Sequence, residues 1–264
     1  MNIRQSFREQ AVHCAALESP FMARLMALFA ERLRPGDPVS DLILNWDGDA
    51  SPTADSVPLR LAGALHALKL EGLALTDVYP PNAGDPDALW DAVSTAMRDH
   101  AAQLVAWMAQ APQTNEVRRA AMILPALAHV GRAFGHPVAL FELGASGGLN
   151  LRADRFCLKV KGRILGDPDS KVRLAPDWDG AGPEGDVPKV VSRTGVDLNP
   201  LDPLSKDGQL RLRAYLWPDQ PERMTRTEAA IDIAKANRAE MSRGDAGAWL
   251  EQALSKDMPG VTRV

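Results

Sequence analysis

At 264 residues, with 45% hydrophobic and 24% charged residues, the chain has room for one large or two ordinary globular domains and needs no covalent staples. Its 30 basic and 34 acidic residues are interspersed, and only 5% of residues are aromatic, which argues against a basic, base-stacking nucleic-acid surface. Two isolated cysteines, Cys14 and Cys157, give neither a disulfide framework nor a zinc site. The polar start Met1–Gln10 lacks a signal-peptide core, and no apolar run approaches the roughly 20 residues of a membrane span. The expected setting is cytoplasmic, with no metal and no membrane partner.

The first 135 residues read as helices. Residues 3–17 carry Ile3, Phe7, Val12, Ala15 and Ala16 at loosely helical spacing. Ser19-Pro20 opens a second helix as N-cap and first helical residue, with an apolar stripe of Phe21, Leu25, Leu28, Phe29 and Leu33 that stops before Pro35-Gly36. Asn45–Pro58, rich in Asp, Ser, Pro and Gly, reads as a loop. A leucine-rich helix then ends before Gly72, and an amphipathic helix is expected over Leu89–Gln110. The next is capped by Thr114 or Asn115, kinked at Pro125 and ended by Gly135.

From residue 137 the pattern changes. Val138–Phe141 suits a strand buried on both faces. Phe156–Val160 and Lys171–Leu174 are expected to pair as an antiparallel hairpin inserted at about 152–190, followed by a strand over Val190–Asp197. A helix over Glu222–Glu240, a strand end at Met241–Asp245, a helix over Ala246–Ser255 and a strand start at Gly260–Val264 complete the pattern. The domain reading is a helical region, 1–135, followed by a Rossmann-like domain, 136–264.

The chemistry-bearing segment is Glu142-Leu-Gly144-Ala-Ser146-Gly147-Gly148-Leu-Asn150, placed where a buried strand should turn into a helix. Glycine permits the tight turn and close approach of backbone to ligand, and a helix N-terminus presents free N–H groups. The segment resembles the turn of S-adenosylmethionine-dependent methyltransferases, acid-x-Gly-x-Gly-x-Gly, with Glu142, Gly144 and Gly148 matching and Ser146 in place of the middle glycine. That resemblance implies that the turn cradles the amino-acid part of the cofactor. It further implies that Asp197 holds the ribose hydroxyls and Asp245 meets the adenine amino group. Both aspartates also have plainer readings, Asp197 as turn chemistry and Asp245 as a helix N-cap.

Gly144-Ala-Ser146-Gly-Gly148 also matches Gly-x-Ser-x-Gly, the nucleophile elbow of α/β-hydrolases. There the histidine follows the serine in the chain. All five histidines, His13, His66, His100, His129 and His136, precede Ser146, so the serine-hydrolase reading lacks its base.

Over nearly its whole length the chain also resembles the bacterial family called domain of unknown function 2332. The motifs that carry this are Gln113–Arg118, Phe141–Arg155, Arg193–Asp202 and Trp217-Pro-Asp219 with Arg223. The resemblance implies a helical N-terminal region and a methyltransferase-like Rossmann domain without implying an activity. Members continue past the position matching Val264, so the sheet is expected to be C-terminally incomplete and to dimerise or aggregate through an exposed edge. Asp197 also lies further beyond Gly144 than the roughly 20 residues of a simple dinucleotide fold, a gap assigned to the inserted hairpin.

The expected fold is therefore α/β, with a Rossmann-like sheet preceded by an all-helical region. The expected ligand is S-adenosylmethionine or a related adenosyl molecule, bound by Glu142, Gly144, Ser146, Gly148, Asp197 and Asp245. No catalytic residue and no methyl acceptor are assigned. A non-catalytic adenosyl-binding or assembly protein stands as the alternative, so whether the chain is an enzyme stays open.

Overall fold

The computed structural model describes residues 2–82 and 84–264. It is α/β, with about 50% helix and a parallel sheet. The chain divides into two compact units, one of residues up to Gln113 together with Arg213–Arg223, the other of Thr114–Leu212 with Met224–Val264.

The first unit begins with α1 (Ile3–Ala16) and α2 (Pro20–Arg32), then α3 (Pro38–Leu44), α4 (Val57–Leu70), α5 (Pro86–Asp99) and α6 (Ala101–Met108). Every residue of the anticipated α2 stripe, from Phe21 to Leu33, is buried. Phe29 stacks on Phe7 at 5.3 Å and meets Trp90 edge-on, and Phe21 packs against Tyr79. Helix α4 is the centre of the unit: eleven of its fourteen residues are buried, as expected of a helix that is apolar all round. Three features went unread in the sequence. The short helix α3 starts at the Asp37-Pro38 cap, where Asp37 accepts the amides of Val39 and Ser40. The expected single helix over Leu89–Gln110 breaks at His100 into α5 and α6. Residues 213–223 lie against α4, where Gly63 leaves the space that the Tyr215 ring occupies and His66 Nδ1 lies 3.1 Å from the Ala214 carbonyl.

The second unit opens with a 3₁₀ turn, Val117–Arg119, and α7 (Ala120–Phe134), which runs through Pro125 and ends on the left-handed Gly135. Strand β1 (Val138–Leu143) leads to the glycine turn. The inserted segment forms a separate three-stranded sheet, but not with the anticipated pairing. Strand β2 (Cys157–Val160) pairs antiparallel with β3 (Arg163–Gly166), and β4 (Arg173–Leu174) adds to β2 in parallel. The reason is local. Lys161 and Gly162 both have positive φ, which closes a two-residue hairpin between Val160 and Arg163. The chain continues through β5 (Val190–Asp197), α8 (Lys206–Ala214), α9 (Pro221–Ala236), β6 (Glu240–Arg243), α10 (Ala246–Ser255) and β7 (Thr262–Arg263). The main sheet is parallel with order β6-β5-β1-β7. It buries Val138, Ala139, Leu140 and Val196, while α7 contributes Leu124, Leu127 and Ala128 to the same unit's core. Among the described residues, no helix is long and apolar enough to cross a membrane.

Candidate ligand site at the glycine turn

Leaving β1, the backbone enters the left-handed region at Gly144, with φ of +66°. No heavy atom lies within 4 Å of the position a Cβ would take there, so this face of the turn is open. Gly148, with φ of +63°, is the opposite case: a Cβ would stand 2.9 Å from Met241 Sδ and 3.0 Å from Arg152 Nη1. Of the two matching glycines, one leaves backbone accessible and the other lets β6 and Arg152 close in.

The turn is held by neighbours from three directions. Ala145 N donates to Val196 O, and Leu201 N donates to Ser146 O. The Asp197 carboxylate accepts the amide of Ser146 on Oδ2 and that of Asn199 on Oδ1, each at 2.8 Å. Asn115 Oδ1 accepts the Leu149 amide at 2.9 Å, and Asn150 donates back to Glu116 O at 3.2 Å. The Gln113–Arg118 motif therefore fastens the turn from the segment preceding α7.

A regular α-helix does not follow. Residues Leu149–Arg155 form a 3₁₀ stretch with a non-helical Arg152, and the Leu149 amide is already satisfied by Asn115. The row of free helix N-terminal amides anticipated from the sequence is not formed here. A carboxamide from another segment has replaced the helix as the partner of the turn's backbone.

Beneath the turn lies a buried charged cluster. Desolvation pushes the Glu142 carboxyl from 4.5 up to about 7, with Asp197 adding to the rise and Arg119 and Arg152 offsetting part of it. Glu142 Oε2 is buried without a hydrogen-bond partner, as is Ser146 Oγ. Desolvation, and then the charge of Arg193, bring Arg152 down to about 10. Arg193 on β5 pairs with Asp154 at 2.5 Å, both side chains about nine-tenths buried.

Glu142, Gly144, Ser146, Gly148 and Asp197 thus meet at one turn. Asp245 lies at the same end of the sheet, where Gly244 N donates to Asp197 O. Its carboxylate is exposed and accepts the Ala248 amide as N-cap of α10. Among the described residues, the buried Ser146 Oγ has no hydrogen-bond partner. Asn115, Arg152, Asp154 and Arg193 were not singled out from the sequence as site residues. The available signal was their position inside three of the long motifs, Gln113–Arg118, Phe141–Arg155 and Arg193–Asp202, each of which supplies one side of this polar network.

No curated protein and no solved structure matches the chain. The profile of the family described as uncharacterized protein conserved in bacteria, DUF2332, matches residues 4–264. With that match spanning essentially the whole sequence, the chain belongs to this bacterial family.

Proposed function

We propose that the protein binds S-adenosylmethionine or a related adenosyl ligand at the turn Glu142–Gly148 and is methyltransferase-like. The observation that carries this reading is the placement of acids on a parallel sheet of order β6-β5-β1-β7. Glu142 is the penultimate residue of β1, Asp197 ends β5 and Asp245 follows β6, with the open face of Gly144 beside them. In open α/β sheets, ligands bind outside the carboxyl ends of the strands where the strand order reverses, here across β1 and β7.

The residues present fit the ligand's amino-acid part. Its ammonium group supplies the donor that the buried Glu142 Oε2 lacks, and its backbone-sized atoms fit the uncovered side of Gly144. Asp197, at the end of β5 with its carboxylate beside the turn, is the acid placed for the ribose hydroxyls. The methyl donor brings its own reactivity when bound. The chain's part is to bind, orient and exclude water, so no dedicated catalytic side chain is required.

Isothermal titration of the full chain with S-adenosylmethionine and S-adenosylhomocysteine tests the reading. Saturable binding is expected, abolished in Gly144→Val and weakened about ten- to hundredfold in a folded Asp197→Ala, equivalent to roughly 1.5–3 kcal/mol. Failure of the folded wild-type chain to bind either ligand refutes it. Conversion of bound S-adenosylmethionine to its demethylated product in cell extract then separates a catalyst from a non-catalytic binder.

A further inference from the structure

Beside the glycine turn, the second unit holds a cavity of about 350 Å³ between the loop after β5 and the start of β6. Its walls are largely apolar, with Leu201, Pro203, Leu204 and Met241, and its charged lining is Arg152, Arg238 and Asp202, the last an exposed residue whose Oδ1 accepts the Leu204 amide. Small-molecule sites have this composition, an apolar wall with a few placed polar groups, in cavities of roughly 300–1,000 Å³.

Arg152 is the unusual member. It is 3% exposed, yet among the described residues no carboxylate forms an ion pair with it. Its Nε donates to Asn237 O and its Nη1 to Gly148 O, both neutral acceptors that fix the guanidinium plane without balancing its charge. The carboxylate of Asp154 is committed elsewhere, to the adjacent buried cation Arg193 and to Arg155. Glu142, the acid whose charge acts on Arg152, is itself held towards its neutral form by burial. A buried guanidinium without an anion is costly, and a fixed guanidinium plane matches the two oxygens of a carboxylate. The cost is relieved when the cavity supplies the anion.

We propose that this cavity binds a small organic acid, its carboxylate on Arg152 and its apolar body against Leu201, Leu204 and Met241. This site is separate from the proposed adenosyl site and stands whether or not an adenosyl ligand binds.

Ligand-observed NMR and calorimetry on the full chain test it, with hexanoate as the probe, hexanamide as the uncharged control and inorganic phosphate as the bare anion. Hexanoate is expected to bind at least tenfold more tightly than either control. Leu204→Trp, at a position 42% exposed and tolerant of a larger side chain, fills the cavity and should weaken hexanoate at least tenfold. Arg152→Lys should weaken it by a similar factor while keeping the charge that Arg152→Met removes. Because Arg152 also anchors Gly148 and Asn237, the Leu204 variant keeps the test decisive if the arginine variants fail to fold. The proposal is overturned by undetectable hexanoate binding, by equal binding of hexanamide or phosphate, or by unchanged affinity in Leu204→Trp. Displacement of hexanoate by S-adenosylhomocysteine would also overturn it, because the cavity would then be part of the adenosyl site.

Discussion

Glu142 has a carboxyl whose folded pKa is about 7 against an ordinary 4.5, because the end of β1 buries it and its Oε2 finds no donor. Between those values the native chain keeps a proton that the unfolded chain has released, so stability falls as pH rises from 4.5 through 7. A shift of that size corresponds to roughly 3 kcal/mol. Glu142→Gln is expected to raise the denaturation midpoint at pH 8 and leave it nearly unchanged at pH 4.5. A variant equally destabilised at both pH values would mean that Glu142 is held as a carboxylate. The same residue couples ligand binding to pH. A ligand ammonium favours the charged carboxylate, so binding near pH 6.5 should release protons and tighten as pH rises. Calorimetry in two buffers of different ionisation enthalpy measures this directly, and identical heats in both would exclude Glu142 as the ammonium's partner.

Whereas Asp37 and Asp245 cap α3 and α10 from the adjoining residue, the start of α2 and the glycine turn are held by residues distant in sequence. Ser19 precedes Pro20 as a sequence-level cap, but its side chain does not cap α2. Instead Asp219 accepts the Ser19 hydroxyl at 2.6 Å and the Phe21 amide at 2.9 Å, and so supplies the cap from 200 residues away. Within the same motif, Arg223 lies over the Trp217 ring and donates to Gln220. The Trp217-Pro-Asp219 motif therefore has a structural task in the first unit. Asp219→Ala should cost about 1–2 kcal/mol, the range for a lost helix cap, with Asp219→Asn retaining part of it. Chemical denaturation reads the difference, and a loss below about 0.3 kcal/mol would show the cap to be idle. The glycine turn makes a paired case. Gly148→Ala should destabilise the second unit, since its Cβ meets Met241 and Arg152, whereas Gly144→Ala meets open space and carries only the cost of positive φ. Comparable losses of stability in the two variants would contradict this division.

At the level of the whole molecule, the two units carry opposite pH responses. In the first, burial lowers His66 to about 4 from 6.5, against the pull of the Ala214 carbonyl. Its stabilisation is complete above pH 6.5 and is lost as pH falls towards 4, while Glu142 in the second unit favours the folded state over the acid part of that range. Hydrogen exchange, corrected for intrinsic rates, should show protection falling in α4 and rising in β1 as pH is lowered from 7 to 5. A uniform change across both units would refute the assignment. The main sheet has β6 and β7 as its outer strands, with β7 beside β1. Self-association through such an edge is the expected oligomeric behaviour. Light scattering on the eluted protein tests it, and a monodisperse monomer that binds no hydrophobic dye would count against edge pairing.

The sequence by itself determined what depends on local pattern. The apolar stripe of α2, the doubly buried strand β1, the span of β5, the left-handed stop at Gly135 and the helix α10 follow from side-chain period and backbone-permissive residues, which act within a few positions. It also located the turn and the acids at successive strand ends, because glycine and aspartate mark such places whatever surrounds them. Only the tertiary structure decided what those groups face. Whether Gly148 is open or filled depends on Met241 from β6, and whether Leu149 offers its amide depends on Asn115 from the segment before α7. Whether Arg152 is solvated, paired or buried alone depends on three chain segments at once. Burial and partner choice are long-range properties: desolvation and hydrogen bonding act over a few ångströms in space, and in this chain those ångströms separate residues tens to hundreds of positions apart.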